Sequence, residues 1–389
     1  MRADGTRSLA IGSAGWGAFL LIGWAGLLVP SLIREIEHAF GQSDAGIGTF
    51  YLVYSIAYAA GSVLGGGLTE RVGRRVVLVS ALVAQGAGLL VQGLVPEWTV
   101  FLVAAVPRGL GAGAIDGGIQ GLFLDAFAPA ATGPLNGVHV AFSLGSLVAP
   151  VGVGTLVAAG VPWQAVILGS GVASLALAAP FGVIDMPHGR HDRSGKQASL
   201  RIGLPLVAAG AALALYVASE VGLSSWLVRF LPASLPVATG ALTLFWLGLT
   251  AGRVVAARYA SRFDPVRLGV VACLAGGVAM ALGVGAVAIG IGPAVATSIV
   301  LFTLAGFAFG PVYPIIILIA DRLYPGRAAA VTGLLAGVAV VGSVGYPPLM
   351  GLISVSAGLV AAMFGAALLA VLAAGLLAFA RAEARSAPP

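Results

Sequence analysis

The sequence predicts an all-α membrane protein, with twelve transmembrane helices in two pseudo-symmetric six-helix bundles. Three observations predict it. Of 389 residues, 59% are hydrophobic and 9% charged, and the mean hydropathy is +1.04. A soluble domain carries about 25% charged residues, and a chain this long could not clothe a water-facing surface with so few. Twelve apolar stretches reach the ~20 residues that a helix needs to cross a bilayer. The basic residues gather in alternate connecting segments, as the positive-inside rule requires.

The stretches are residues 9–33, 46–69, 76–95, 99–127, 135–160 and 163–183, then 204–223, 236–259, 268–290, 293–319, 329–354 and 357–380. Charges, prolines or glycine clusters bound each one. A membrane barrel would instead alternate over segments of about ten residues. The 58 glycines lie mostly within the apolar runs, where small residues let helix backbones approach. The first stretch is too long for a cleaved signal peptide and lacks a small-residue cleavage site before a polar domain. Cys273 is the single cysteine, so no disulfide within the chain and no cysteine metal site is expected.

With both termini in the cytoplasm, sixteen of the 20 basic residues fall on the inner side. Only Arg34 and Arg229 fall outside, while Arg108 and Arg253 lie within spans. The net charge of +6 is therefore read as topology anchoring beside an anionic leaflet rather than as nucleic-acid binding. Residues 1–183 are expected to form one bundle, residues 184–203 a cytoplasmic linker and residues 204–389 the second bundle. The linker holds His188 and His191, read as solvated rather than metal-binding. The loops after spans two and eight, GGLTERVGRRVVL and ARYASRFDPVRLGVV, place Arg71 and Arg262 equivalently. Parallel six-helix halves are a transporter arrangement.

The stretch from Gly66 to Arg75, GGLTERVGRR, resembles the G-x-L-x-D-R-x-G-R-R/K signature between spans two and three of the major facilitator superfamily. Glu70 stands where that signature has Asp. Five further stretches, in order, resemble the fucose-permease branch: GLGAGAIDGGIQGL, LNGVHVAFSLGSLVAP, SEVGLSSWL, LFWLGLTAGR and GFAFGPVYP. Gln120 departs from that branch, which more often has Asn. The resemblance implies a secondary transporter working by alternating access, with sugars or similar polar solutes often taken up with protons. It also implies a gating role for Gly66, Glu70, Arg71, Gly73, Arg74 and Arg75. There Gly66 would let two helices pack closely, Gly73 would permit a tight turn, and the charges would form a cluster that breaks between conformations. The plainer alternative is that the arginines only anchor topology.

Ionisable groups within a membrane are expensive and are functional suspects. Asp116 is the sharpest: it lies about 11 residues from the inner end of span four, hence roughly 16 Å deep. The branch also places an acid there, and a proton carried on it would couple proton flow to solute movement. Gln120, one turn along, is placed to bond a substrate hydroxyl. Gly109, Gly113, Gly117 and Gly121 form a stripe beside this polar face. Arg108 is read as pairing with a carboxylate or with substrate, against the alternative of a snorkelling side chain. Glu220 is expected near the outer end of span seven, as a further proton-coupling candidate or closing a gate or meeting solute with Tyr216 and Trp226. Asn136 is a candidate substrate contact, and His139, one turn past it, is a candidate proton relay. Tyr54, Tyr58 and Tyr313 are candidate stacking surfaces for a sugar, though most such aromatics are core or interface belt. Pro311, Pro314, Pro347 and Pro348 are expected to interrupt spans ten and eleven and so flank a cavity.

Residues 145–154, GSLVAPVGVG, resemble a drug-antiporter motif with Ala149 replacing a glycine. The alternative reading is thus a proton-driven exporter of a drug-like or amphipathic metabolite. A receptor without transport is a further reading, with no large soluble appendage to favour it. No catalytic signature of a membrane enzyme is found. The expected partners are a small-molecule substrate, protons and the lipid bilayer, with no nucleic acid, no cofactor and a monomeric state, in a bacterial inner membrane.

Overall fold

The computed structural model describes residues 2–128, 130–187, 203–290, 293–324 and 328–386. These residues form helices α1 (Arg2–Gly26), α2 (Leu28–Phe40), α3 (Asp44–Val72), α4 (Arg74–Leu94), α5 (Trp98–Ala126), α6 (Thr132–Ala158) and α7 (Trp163–Val183). They continue with α8 (Leu204–Phe230), α9 (Leu235–Tyr259), α10 (Pro265–Ile289), α11 (Ala294–Phe309), α12 (Val312–Leu323), α13 (Ala328–Ala357) and α14 (Leu359–Ser386). No strand occurs among the described residues. Among the described residues twelve segments are long and apolar enough to cross a membrane, α1 with α2 and α11 with α12 each counting as one. The histidines expected in the linker lie outside the described residues.

Three spans differ from the sequence reading. The first is Arg7–Phe40 and runs past the predicted end at 33. It continues because α2 is amphipathic: Leu28, Val29, Leu32, Ile33 and Ile36 are buried while Arg34, Glu35, Glu37 and His38 are partly or fully exposed, until Gly41 ends the helix at φ 59°. The seventh span, α8, extends to Phe230. Glu220 therefore sits more than two turns inside α8, not near its end. In span eleven, Pro347 and Pro348 do not interrupt the chain, because α13 runs unbroken through both. The break in span ten does occur, between Phe309 and Val312, where Gly310 and Pro311 stand.

The chain divides into two compact units. One comprises Met1–Gln42 and Phe50–Ser194, the other Ser43–Thr49 and Gly195–Pro389. In the first, α1 packs on α6 and α4 on α5 and α7. In the second, α8 packs on α13 and α14, α10 on α11 and α14, and α9 on α11. Within the second unit Asp44 accepts from Arg229 Nε at 3.0 Å and from the Ser354 hydroxyl.

Glycine contacts hold both units. A Cβ on Gly145 would lie 2.0 Å from the Leu20 carbonyl of α1, and one on Gly113 would lie 2.0 Å from the Tyr58 carbonyl of α3. In the second unit, Cβ atoms on Gly252 and Gly342 would lie 2.0 Å and 2.1 Å from the carbonyls of Phe307 and Ala214. Gly66, by contrast, has nothing within 4 Å of its Cβ position. The expectation that Gly66 seats a close helix crossing is corrected: that work falls to Gly61 and Gly65, against Leu110 and Ala114. Gly113→Ala is expected to cost about 1–3 kcal/mol through overpacking, and Gly66→Ala less than about 0.5 kcal/mol. Thermal unfolding of both variants in one detergent checks this, and equal melting temperatures would contradict it.

Candidate functional site

Helix α5 carries the polar centre of the first unit. Its glycine stripe lies on α3: Gly109 meets the Tyr54 carbonyl, Gly113 that of Tyr58 and Gly117 that of Ser62. Gly121, the last of the series, has only the Arg74 Nη1 atom at 4.0 Å. This close seam sets Tyr58 opposite the next turn of α5. The Tyr58 hydroxyl donates to Asp116 Oδ2 at 3.0 Å, and Gln120 Nε2 donates to Oδ1 at 2.9 Å. Both carboxylate oxygens are thus engaged, and Asp116 and Gln120 remain partly exposed. The imidazole of His139 on α6 reaches Asp116 electrostatically and meets the edge of Phe19 at 5.5 Å. Asn136, a turn earlier, is exposed.

An aromatic ladder on α3 leads away from this acid. Tyr58 neighbours Tyr54 at 6.2 Å, and Tyr54 stacks on Phe50 at 6.1 Å. At its far end lies Arg108, 2% exposed, with its guanidinium carbon 5.1 Å from the Tyr54 ring and 5.7 Å from Phe50. Arg108 donates to Gln92 Oε1 at 2.8 Å and to the Ala25 carbonyl at 2.6 Å, while its Nε has no hydrogen-bond partner. It does not snorkel. Ala25 is in the last turn of α1, where helix carbonyls lack donors and the dipole favours a cation. No spacing rule announces that contact, and Gln92 was legible only as one of two amides, with Gln85, in an apolar run.

The loop between α3 and α4 behaves as its residues dictate. Gly73 adopts φ 86°, the left-handed turn that glycine alone enters cheaply. Arg74 is buried and pairs with Asp125 near the end of α5. Asp125 was missed by the sequence reading, although an acid ending span four opposite a basic loop was visible. Arg75 donates to the Ile184 carbonyl at 3.2 Å. Arg71 is exposed, and the Glu70 side chain lies outside the described residues.

In the second unit, the buried Tyr216 and Glu220 sit one turn apart on α8 and hydrogen-bond. Trp226 does not join them at a wet surface: it is fully buried and donates from Nε1 to the Pro347 carbonyl at 2.9 Å. Tyr313 is partly exposed in the first turn of α12. Arg253 on α9 is partly exposed, and its charge reaches Glu220. Among the described residues no group of three metal-ligating side chains occurs.

Comparison with known proteins places this architecture. Among curated proteins, a gentisate transporter of Corynebacterium glutamicum is 25% identical over 401 residues, covering 95% of this chain and 88% of that one. A sodium-dependent glucose transporter 1 of Xenopus laevis is 28% identical over 125 residues, 32% of this chain. The chain spans only 25% and 32% of the lengths of the two vertebrate glucose transporters it matches. Among solved structures, a bacterial homologue of the human lysosomal transporter Spinster superposes with a TM-score of 0.78 at 14% identity, covering 99% of both chains. A D-xylose–proton symporter superposes with a TM-score of 0.77 at 17% identity, covering 95% of this chain and 97% of that one. The sequence pattern of the Major Facilitator Superfamily matches residues 14–281. With twelve membrane-crossing segments and that match over most of its length, the chain belongs to the Major Facilitator Superfamily of transporters.

Proposed function

We propose that the protein takes up a sugar or related polar solute together with a proton, in the manner of the fucose-permease branch, and that Asp116 couples the two. The observation that carries this reading is the Tyr58–Asp116–Gln120 cluster between the two apolar helices α3 and α5. An ionised Asp116 occupies both donors. A proton on Asp116 weakens its hold on the Tyr58 hydroxyl and the Gln120 amide, which become available to solute hydroxyls. The aromatic ladder beside it offers flat faces to the C–H side of a ring. The local likeness to sodium-dependent glucose transporters supports a sugar-like solute. The distribution of basic residues supports cytoplasmic termini and a cytoplasmic 184–203 segment in a bacterial inner membrane, with six-helix bundles on either side of that segment acting as a monomer.

Reconstitution into liposomes with a solute panel and an imposed pH gradient tests this. One proton per solute sustains about a tenfold accumulation per pH unit. Wild-type protein is expected to accumulate a sugar under an inward proton gradient, and Asp116→Asn to exchange it without accumulation. Accumulation by the variant, or uptake driven only by a sodium gradient or only outward, would overturn the reading.

A second reading, transport of an aromatic acid, is favoured by Arg108. Its guanidinium is buried against two aromatic rings with its Nε–H unpartnered, and the relative named for gentisate matches along most of the chain. On this reading aromatic acids displace sugars in the panel. Arg108→Lys then weakens their apparent affinity by about 10–100-fold, the scale of a charged hydrogen bond lost. Unchanged affinity for acids in Arg108→Lys would remove it.

A further inference from the structure

In the second unit one phenol stands between two oxygen acceptors. The Tyr216 hydroxyl contacts the Glu220 carboxyl group and also the Phe309 main-chain carbonyl, at 3.1 Å. Tyr216 is fully buried and Glu220 is 8% exposed. A phenol owns one proton, while a carbonyl and an ionised carboxylate only accept. With Glu220 ionised, Tyr216 can donate to one of them, and the other contact sets two acceptors face to face in a dry site. Such an unpaired buried oxygen is costly. The conflict disappears when Glu220 is the acid: its O–H donates to the phenol oxygen, and the phenol O–H donates to Phe309.

We infer that Glu220 carries a proton in this conformation and is a second proton-binding group of the transporter, separate from Asp116. Phe309 is the last residue of α11, at the break before α12, where helix carbonyls lack intrahelical donors. The proton on Glu220 therefore supplies a donor to that break through Tyr216. When the proton leaves, the phenol turns its O–H to the carboxylate, Phe309 loses its donor, and Glu220 is left to the positive charge of Arg253 on α9. Cys273 of α10 is a buried, uncharged thiol. Tyr346 of α13 packs beside Gly222, its hydroxyl committed to the Ala362 carbonyl at 2.8 Å. Helix α12 carries Tyr313, and α14 has no ionisable side chain between residues 359 and 380.

Infrared spectroscopy of the full chain in liposomes at neutral pH tests the inference, independently of any transport assay. Asp116→Asn is expected to retain a carbonyl-stretch band of a protonated carboxylic acid, shifting in deuterium oxide. Adding Glu220→Gln, whose amide still donates to Tyr216, is expected to remove it. A flat difference spectrum between the two proteins would overturn the inference. Should the double variant not fold, Tyr216→Phe on the Asp116→Asn background decides: the band is expected to move upward as the acid loses its acceptor, and an unmoved band would overturn the inference.

Discussion

Hydrocarbon offers no hydrogen bonds and no hydrophobic push between apolar helices, so backbone contact at glycine is what the rest of this structure depends on. Both units obey it. In the first, α1 meets α6 through Gly23 and Gly145, and α3 meets α5 through Gly61, Gly109 and Gly113. In the second, α8 meets α13 through Gly342, and α9 meets α11 through Gly248, Gly252 and Gly306. The polar groups take their places from these seams. Tyr58 reaches Asp116 because the α3 backbone lies in contact with Gly113, so that a methyl there would disturb the acid as well as the packing.

Each unit also spends a side chain on a carbonyl that its own helix leaves without a donor. Arg108 supplies Ala25 in the last turn of α1, and Tyr216 supplies Phe309 at the end of α11. Such ends are the weak points of a broken span, since an unsatisfied carbonyl in an apolar interior is costly. They are also where a change of protonation or of bound solute has most leverage on helix direction. The proposed coupling acid and the inferred second proton site both sit in hydrogen-bond networks whose donors change role with a single proton.

What the sequence disclosed was mostly what depends on local spacing. The twelve spans, the positive φ at Gly73, the glycine stripe on α5 and the one-turn relation of Asp116 to Gln120 are all local, and residues at i and i+4 share a face wherever the helix is placed. What depends on a partner from elsewhere in the chain stayed hidden. Pro347 and Pro348 left α13 unbroken, and the Pro347 carbonyl bonds Trp226 of α8, a contact no local pattern encodes. Gly66 matched its motif, yet it faces open space while Gly65 makes the crossing. Asp125 gained significance only when Arg74 was found against it, and Glu220 moved inward because α8 continued past its predicted end.

The central claim is that Asp116 carries the proton that travels with the solute. The most direct measurement is a pH-sensitive dye sealed inside liposomes holding the protein, read while solute is added outside with no pH gradient imposed. The account predicts that solute entry acidifies the interior through the wild-type protein, and that Asp116→Asn passes solute without that acidification. Solute entry through the wild type with no change in internal pH would contradict it.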